Sequence, residues 1–193
     1  MKKSKAGMRV VAGIAGGIAL RVSAGARPLL EMARNALFNS LTAILPDSKV
    51  LDLYAGSGAL GIEALSRGAA FCVFVENNPH SATAIRENLR RCRFSDRGHI
   101  IVSRVEDALA QLTGRFQLIF ADPPFARGSH WGELEDDRTI IEATAALLTA
   151  DGRLVFRTEK RHAPPPTWGR LFLLQNRRYG RSLICLYGVA GTG

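Results

Sequence analysis

The residues whose spacing carries most chemistry lie at positions 52 to 61 and at 76. Val50-Leu51-Asp52-Leu53-Tyr54-Ala55-Gly56-Ser57-Gly58-Ala59-Leu60-Gly61 follows a strand pattern and opens a helix pattern, with its glycines at the spacing G-x-G-x-x-G. Glycines there let the backbone turn sharply and approach a ligand closely, a device that nicotinamide and flavin proteins share. Two acids narrow the choice. Asp52 ends its strand four residues before Gly56, a poor place for a carboxylate against a pyrophosphate but a good one against the ammonium of an amino-acid-like cofactor. Glu76 closes the next strand, Phe71–Glu76, where an acid can accept both hydroxyls of a ribose. Together they describe a pocket for S-adenosylmethionine, with Asp52, Gly56, Ser57, Gly58, Glu76 and Asn77 as its cofactor-binding residues. Asp107, after the third strand, either accepts a bond from the adenine amine or is an exposed acid in a helix's first turn.

The second constellation is Asp122-Pro123-Pro124-Phe125, which ends the apolar run Phe116–Ala121. In an open parallel sheet the carboxyl ends of the strands carry the ligand, so this tetrapeptide faces the cofactor pocket. An exocyclic amine on a nucleobase is a poor nucleophile because its lone pair is delocalised into the ring. Two acceptors aimed at its two N–H groups favour a more tetrahedral nitrogen, and the Asp122 carboxylate and the Pro123 carbonyl are such acceptors. The prolines fix φ and offer no N–H, which keeps the turn rigid. Phe125 offers a flat apolar face for a base, a contact worth about 1–3 kcal/mol in single-strand binders. Methyl transfer at such a site is an in-line displacement governed by proximity and orientation.

These groups need strands to end beside one another, and the chain supplies them. From Lys49 onward short apolar runs alternate with amphipathic segments, the pattern of strand–helix–strand units around a parallel sheet. Strands are expected near 49–54, 71–76, 99–103, 116–121, 152–157, 170–175 and 182–187, and helices near 28–44, 58–67, 79–92, 105–112 and 137–149. Asn78-Pro79 reads as a helix cap followed by proline at the first helical position, and Asp151-Gly152 as a turn. The last two strands have no helix between them and should form an antiparallel hairpin joined through Asn176–Gly180. Ahead of them all, Arg9–Gly13 and Ile18–Val22 read as a glycine-turned β-hairpin. The fold class is therefore α/β, a Rossmann-like sheet of seven mostly parallel strands with an antiparallel terminal hairpin, plus the N-terminal hairpin arm. Residues 1–26 form the basic tail and arm, and residues 27–190 the catalytic domain.

Length and composition agree with this plan. The 193 residues fit one domain of ordinary size, 47% hydrophobic and 22% charged, with no apolar run that approaches a membrane span of roughly 20 residues. Lys2, Lys3 and Lys5 ahead of Val10–Leu20 imitate a secretory signal, but Arg9 abuts the run and Gly13, Gly16 and Gly17 interrupt it. Cys72, Cys92 and Cys185 are odd in number and far apart, so they read as reduced thiols in a cytoplasmic protein, and no residue spacing suggests a metal. The net charge is +9, distributed as +6 over residues 1–34, −2 over 35–85, +4 over 86–104, −6 over 105–152 and +7 over 153–193. Basic segments thus flank an acidic middle, which suits phosphate contacts around a pocket. Arg9, Arg21, Arg27 and Arg34 are the expected RNA contacts, while Arg90, Arg91 and Arg93 read as an ordinary solvated helix end.

At these motifs the chain resembles S-adenosylmethionine-dependent methyltransferases of the N-P-P-Y/D-P-P-F branch. More narrowly, Arg27-Pro28-Leu29-Leu30-Glu31-Met32-Ala33-Arg34-Asn35-Ala36-Leu37-Phe38-Asn39, Leu51–Ala69 and Asp122–Phe125 are similar to the RsmD-type 16S rRNA guanine-N2-methyltransferases. The similarity runs from the N-terminal hairpin to Leu186-Tyr187. It implies methylation of a guanine N2 in small-subunit ribosomal RNA, assembled or assembling, with Asp122 through Phe125 as the catalytic motif; the enzyme is expected to be cytoplasmic and monomeric. Where the family usually reads Arg-Pro-Thr and Arg-Glu, this chain has Arg27-Pro28-Leu29 and Arg34-Asn35, and Ile14-Ala15 and Ile18-Ala19 stand where its hairpin is basic. Other readings on the same fold are a methyltransferase for DNA adenine N6 or another RNA guanine, and a non-catalytic RNA-binding assembly factor.

Overall fold

The computed structural model describes residues 8–22, 29–123, 135–159 and 164–190. In chain order its elements are α1 (Glu31–Ser40), β1 (Lys49–Leu53), α2 (Ala59–Ser66), β2 (Phe71–Glu76), α3 (Pro79–Arg91), β3 (Gly98–Val102), α4 (Val105–Gln111), β4 (Phe116–Ala121), α5 (Glu135–Ala146), β5 (Leu148–Glu159), β6 (Thr167–Trp168), β7 (Leu171–Tyr179) and β8 (Ser182–Val189). They build one α/β sheet of order β3-β2-β1-β4-β5-β8-β7-β6. The pairs from β3 across to β5 are parallel and those beyond β5 are antiparallel.

Strands buried on both faces are predominantly apolar, and β1, β2 and β4 are so apart from Lys49, Asp52, Glu76 and Gln117. One face carries α1, α2 and α3, whose Phe38, Ile62, Leu65 and Ile85 pack with Phe74, Leu118 and Phe120 of the sheet. The other carries α4 and α5, where Val105, Leu109, Ile141 and Ala145 meet Leu51, Leu53 and Ile119. After β3 the chain returns to the far side of β1 to form β4. The strand order reverses there, and a crevice opens at the carboxyl ends of β1 and β4.

Three details differ from the sequence expectation. The sheet has eight strands among the described residues, because the two-residue β6 pairs with β7 through Thr167↔Phe172 and Trp168↔Leu171. β5 begins at Leu148, inside the span expected for helix, and the register slips between Phe116↔Leu148 and Leu118↔Arg153. Asp151-Gly152 is thereby absorbed as an irregularity of the strand, since a parallel partner can pass over a local excursion that would stop a helix. Finally, β7 and β8 turn at Gly180-Arg181, with Tyr179 opposite Ser182 and Gly180 at φ +58°.

The N-terminal segment folds back on itself but is not a regular β-hairpin. Its ladder is a single antiparallel bridge, Arg9↔Ala19, flanked by hydrogen bonds from Val10 N–H to the Ile18 carbonyl and from Leu20 N–H to the Met8 carbonyl. Several other backbone groups of the segment bond instead to α2. Glu63, fully buried, accepts from the N–H groups of Val11 and Ala12 and from Arg67 Nε. Ser66 Oγ accepts from Ala15 N–H and donates to the Ala12 carbonyl. Gly13, at φ +83°, lies so close to this helix that a Cβ there would fall 2.0 Å from the Ser66 carbonyl oxygen. Val10, Ala15 and Leu20 are buried in the same core as α1 and α2. No helix among the described residues is long and apolar enough to cross a membrane.

Candidate active site

Strand register brings four charged side chains together. Asp52 on β1 lies opposite Phe74 on β2 and Phe120 on β4, and Phe120 lies opposite Val155 on β5. Glu76, Asp122 and Arg157 each stand two residues beyond these partners. Side chains alternate along a strand, so all four project on the face covered by α1, α2 and α3, at the carboxyl edge of the sheet. They border one cavity of about 1050 Å³, together with Gly56, Ser57, Asn77 and Pro123.

Glu76 ties this wall together. Its Oε2 accepts from Gly56 N–H at 2.7 Å and its Oε1 from Asn78 N–H at 2.8 Å, so one carboxylate fixes both the glycine loop and the start of α3. Each oxygen can still accept a further bond. Asn78 in turn caps α3, its Oδ1 accepting from the N–H groups of His80 and Ser81. Asp52 is nearly fully buried, and its Oδ2 accepts from Gly61 N–H at 2.9 Å. Burial pushes its carboxyl well above the usual carboxylate range; the Gly61 bond opposes this, and the nearby Asp122 and Glu76 reinforce it.

The three loop glycines have different duties. Gly56 borders the cavity. Gly58 caps α2 in a left-handed conformation and is buried behind the loop against Ile85 and Phe74. Gly61 lets α2 lie on the sheet, for a Cβ there would come within 2.3 Å of the Phe74 ring and 2.6 Å of Cys72 Sγ.

Across the crevice, Asp122 Oδ2 accepts from Arg157 Nη1 at 2.7 Å, with the two side chains 25% and 12% exposed. Burial raises the Asp122 pKa, and Arg157 pulls it partly back. Sequence reading missed Arg157. Its signal was an arginine two residues after Val155, directly following the apolar run Leu154–Phe156, at the same parity as the residues facing the site. Pro124 and Phe125 lie outside the described residues, so the structure brings only the first half of the D-P-P-F motif into view. Asp107 is exposed on the first turn of α4 and does not border the cavity, whereas its neighbours Val105 and Glu106 do. The helix starting at Val105 turns that side chain outward.

The four arginines expected to contact RNA separate sharply. Arg9 is exposed, and Arg27 lies outside the described residues. Arg21 is exposed but ion-paired, its Nη1 2.6 Å from Glu87 Oε2. Arg34 is only 2% exposed, under the N-terminal segment, where Nη2 donates to the Arg9 carbonyl at 2.8 Å. Such burial removes it from any surface phosphate, and it borders the cavity instead. The amphipathic face of α1 explains the difference: Arg34 shares its inner side with Ala33, Leu37 and Phe38.

A sheet of this order with a glycine-loop cavity at its carboxyl edge is an architecture found among methyltransferases. The structure of yhhF from Escherichia coli, provisionally named a methyltransferase, matches it with a TM-score of 0.81 at 30% identity, over 94% of this chain and 97% of that one. Residues 8–188 match the family described as Conserved hypothetical protein 95, and the chain belongs to that RsmD-like family. YlbH of Bacillus subtilis (strain 168), provisionally named an rRNA methyltransferase, is 31% identical over 189 residues, 95% of this chain and all of that protein. Ribosomal RNA small subunit methyltransferase D of Escherichia coli (strain K12) is 35% identical over 132 residues, covering 68% of this chain and 61% of its own length.

Proposed function

We propose that this chain is an S-adenosylmethionine-dependent ribosomal RNA methyltransferase that acts on the exocyclic N2 amine of a guanine in 16S rRNA, assembled or assembling. The observation that carries the reading is the convergence of the glycine loop, Glu76, Asp52 and Asp122-Pro123 on one cavity. The names of the relatives support the ribosomal RNA substrate. The cavity fits the cofactor in size and donor set: Glu76 offers acceptors for ribose hydroxyls, Gly56 gives close backbone approach, and Asp52 lies where an ammonium group would find an acid. When bound, the cofactor supplies an electrophilic methyl group on a sulfonium.

The protein's own contribution is orientation. Arg157 holds Asp122 Oδ2, which fixes the carboxylate and favours its charged form while leaving Oδ1 to accept an N–H of the base. The Pro123 carbonyl is the acceptor for the second N–H, and Phe125 the face on which the purine stacks. A guanine in an exposed ribosomal loop costs little to splay out, so no long duplex has to be opened.

The test is incubation with tritiated S-adenosylmethionine and either naked 16S rRNA or small subunits lacking the modification, followed by mapping of the product. Label at one guanine N2 is expected. Absence of label, or label at any other atom, overturns the proposal.

A further inference from the structure

Arg34 is the most unusual polar group of the protein. Its side chain is almost wholly buried, yet Nε and Nη1 have no hydrogen-bond partner; only Nη2 is engaged, by the Arg9 carbonyl. A buried guanidinium with unanswered donors is costly, and native proteins pair nearly all such groups. Glu63 and Glu31 both act on its charge, but Nε and Nη1 donate to neither, and Glu63 already accepts from Val11, Ala12 and Arg67. Arg34 therefore borders the cavity, which Met8, Leu29 and Leu60 also line, with two donors unanswered.

We infer that Arg34 is the receptor for the carboxylate of an α-amino-acid group on the ligand that fills this cavity. The inference rests on the cofactor proposed above and names the part of it that this residue recognises. A carboxylate has two oxygens, each able to accept more than one bond, which matches a guanidinium with donors free on both edges. Asp52 borders the same cavity and offers acceptors where Arg34 offers donors, so the two side chains form a complementary pair for a zwitterion, ammonium toward Asp52 and carboxylate toward Arg34. An RNA phosphate is the less suitable anion: Arg34 is reached from inside the cavity, where a polymer backbone does not follow. The site thus selects S-adenosylmethionine and S-adenosylhomocysteine over nucleosides that lack the amino-acid tail.

The experiment compares S-adenosylhomocysteine with 5′-methylthioadenosine, which keeps the adenosine and sulfur but has no carboxylate. Both are titrated calorimetrically into the wild-type protein, Arg34→Met and Arg34→Lys, with thermal melting to show that each variant is folded. Arg34→Met should weaken S-adenosylhomocysteine on the order of 10–100-fold, the loss expected for a charge-assisted bond, and 5′-methylthioadenosine by less than about 3-fold. Arg34→Lys, which keeps the charge without the fork, should recover part of that difference. Equal losses for both ligands, or unchanged S-adenosylhomocysteine affinity with weakened RNA binding, overturn the inference while leaving the cofactor standing. If the wild-type protein binds neither nucleoside, the proposed function falls and the inference falls with it.

Discussion

In the proposed mechanism Asp122 meets two demands that pull in opposite directions: it must stay ionised in a half-buried place, and it must keep an oxygen free for the substrate. Arg157 reconciles them by taking one oxygen and opposing the desolvation. Asp122→Asn should therefore lower kcat by about 100-fold or more, on the scale of losing one transition-state hydrogen bond, with little change in S-adenosylhomocysteine affinity. Single-turnover kinetics beside calorimetry checks this. Asp52 makes a prediction about pH. Its carboxyl ionises far less readily in the folded protein than in the unfolded chain, so stability conferred by the protonated form is complete below the ordinary carboxylate value and is lost as pH rises through the folded one. The melting temperature of the ligand-free protein should fall as pH climbs from about 4 through that window. In Asp52→Asn the fall should be visibly shallower, and an unchanged slope would remove Asp52 as its source. Asp122 adds a smaller effect of the same sign.

At the level of elements, α2 carries more than its length suggests. Its first turn holds the cavity loop, its Gly61 touches the sheet, and its Glu63 and Ser66 bind the N-terminal segment. Gly61→Ala should destabilise the protein by roughly 1–3 kcal/mol through overpacking against Phe74, seen as a lower denaturation midpoint. Glu63→Gln keeps the shape but weakens two charge-assisted bonds to backbone N–H groups and an ion pair, for a cost of about 2 kcal/mol. Amide exchange at Val11 and Ala12 should accelerate in that variant before exchange in β1 or β4 does, because the segment has little ladder of its own to fall back on. The loop, Asp52, Glu76 and the Asn78 cap were legible in the sequence because all belong to one strand–helix–strand unit whose strand ends, glycine spacing and helix cap are marked locally. Glu63 was not, since its partners Val11 and Ala12 are far away in the chain and nothing local marks a helical glutamate as buried. The same reason hid the fate of Arg34, whose periodicity on α1 pointed inward although its charge suggested the surface.

For the whole molecule, the sheet's alternation of strand and helix was readable up to β4, where apolar runs and caps agree. Beyond it the reading faltered at Leu148, because Leu147-Leu148-Thr149-Ala150 suits helix and strand equally and only pairing with Phe116 decides the matter. The charge map also gains an address. Arg177, Arg178 and Arg181 are exposed together on the β7–β8 hairpin, at the end of the sheet beyond Arg157. Replacing all three with alanine should weaken RNA binding and flatten the plot of log affinity against log salt by about 0.7–0.9 for each phosphate no longer neutralised, with cofactor affinity untouched. Filter binding at several potassium chloride concentrations measures this.

Asn88 joins parts that the sequence keeps far apart. From the inner face of α3 its Oδ1 accepts from Arg21 N–H, while its Nδ2 donates to the carbonyls of both Arg21 and Ser57. One amide thus spans the N-terminal segment and the glycine loop, and the ordering of either is partly the ordering of the other. Thermodynamic reciprocity then applies: whatever factor a nucleoside in the cavity adds to RNA affinity, RNA must return to the nucleoside. Asn88→Ala should bring that shared factor toward one in paired titrations, and a factor unchanged by the substitution would remove Asn88 as the link.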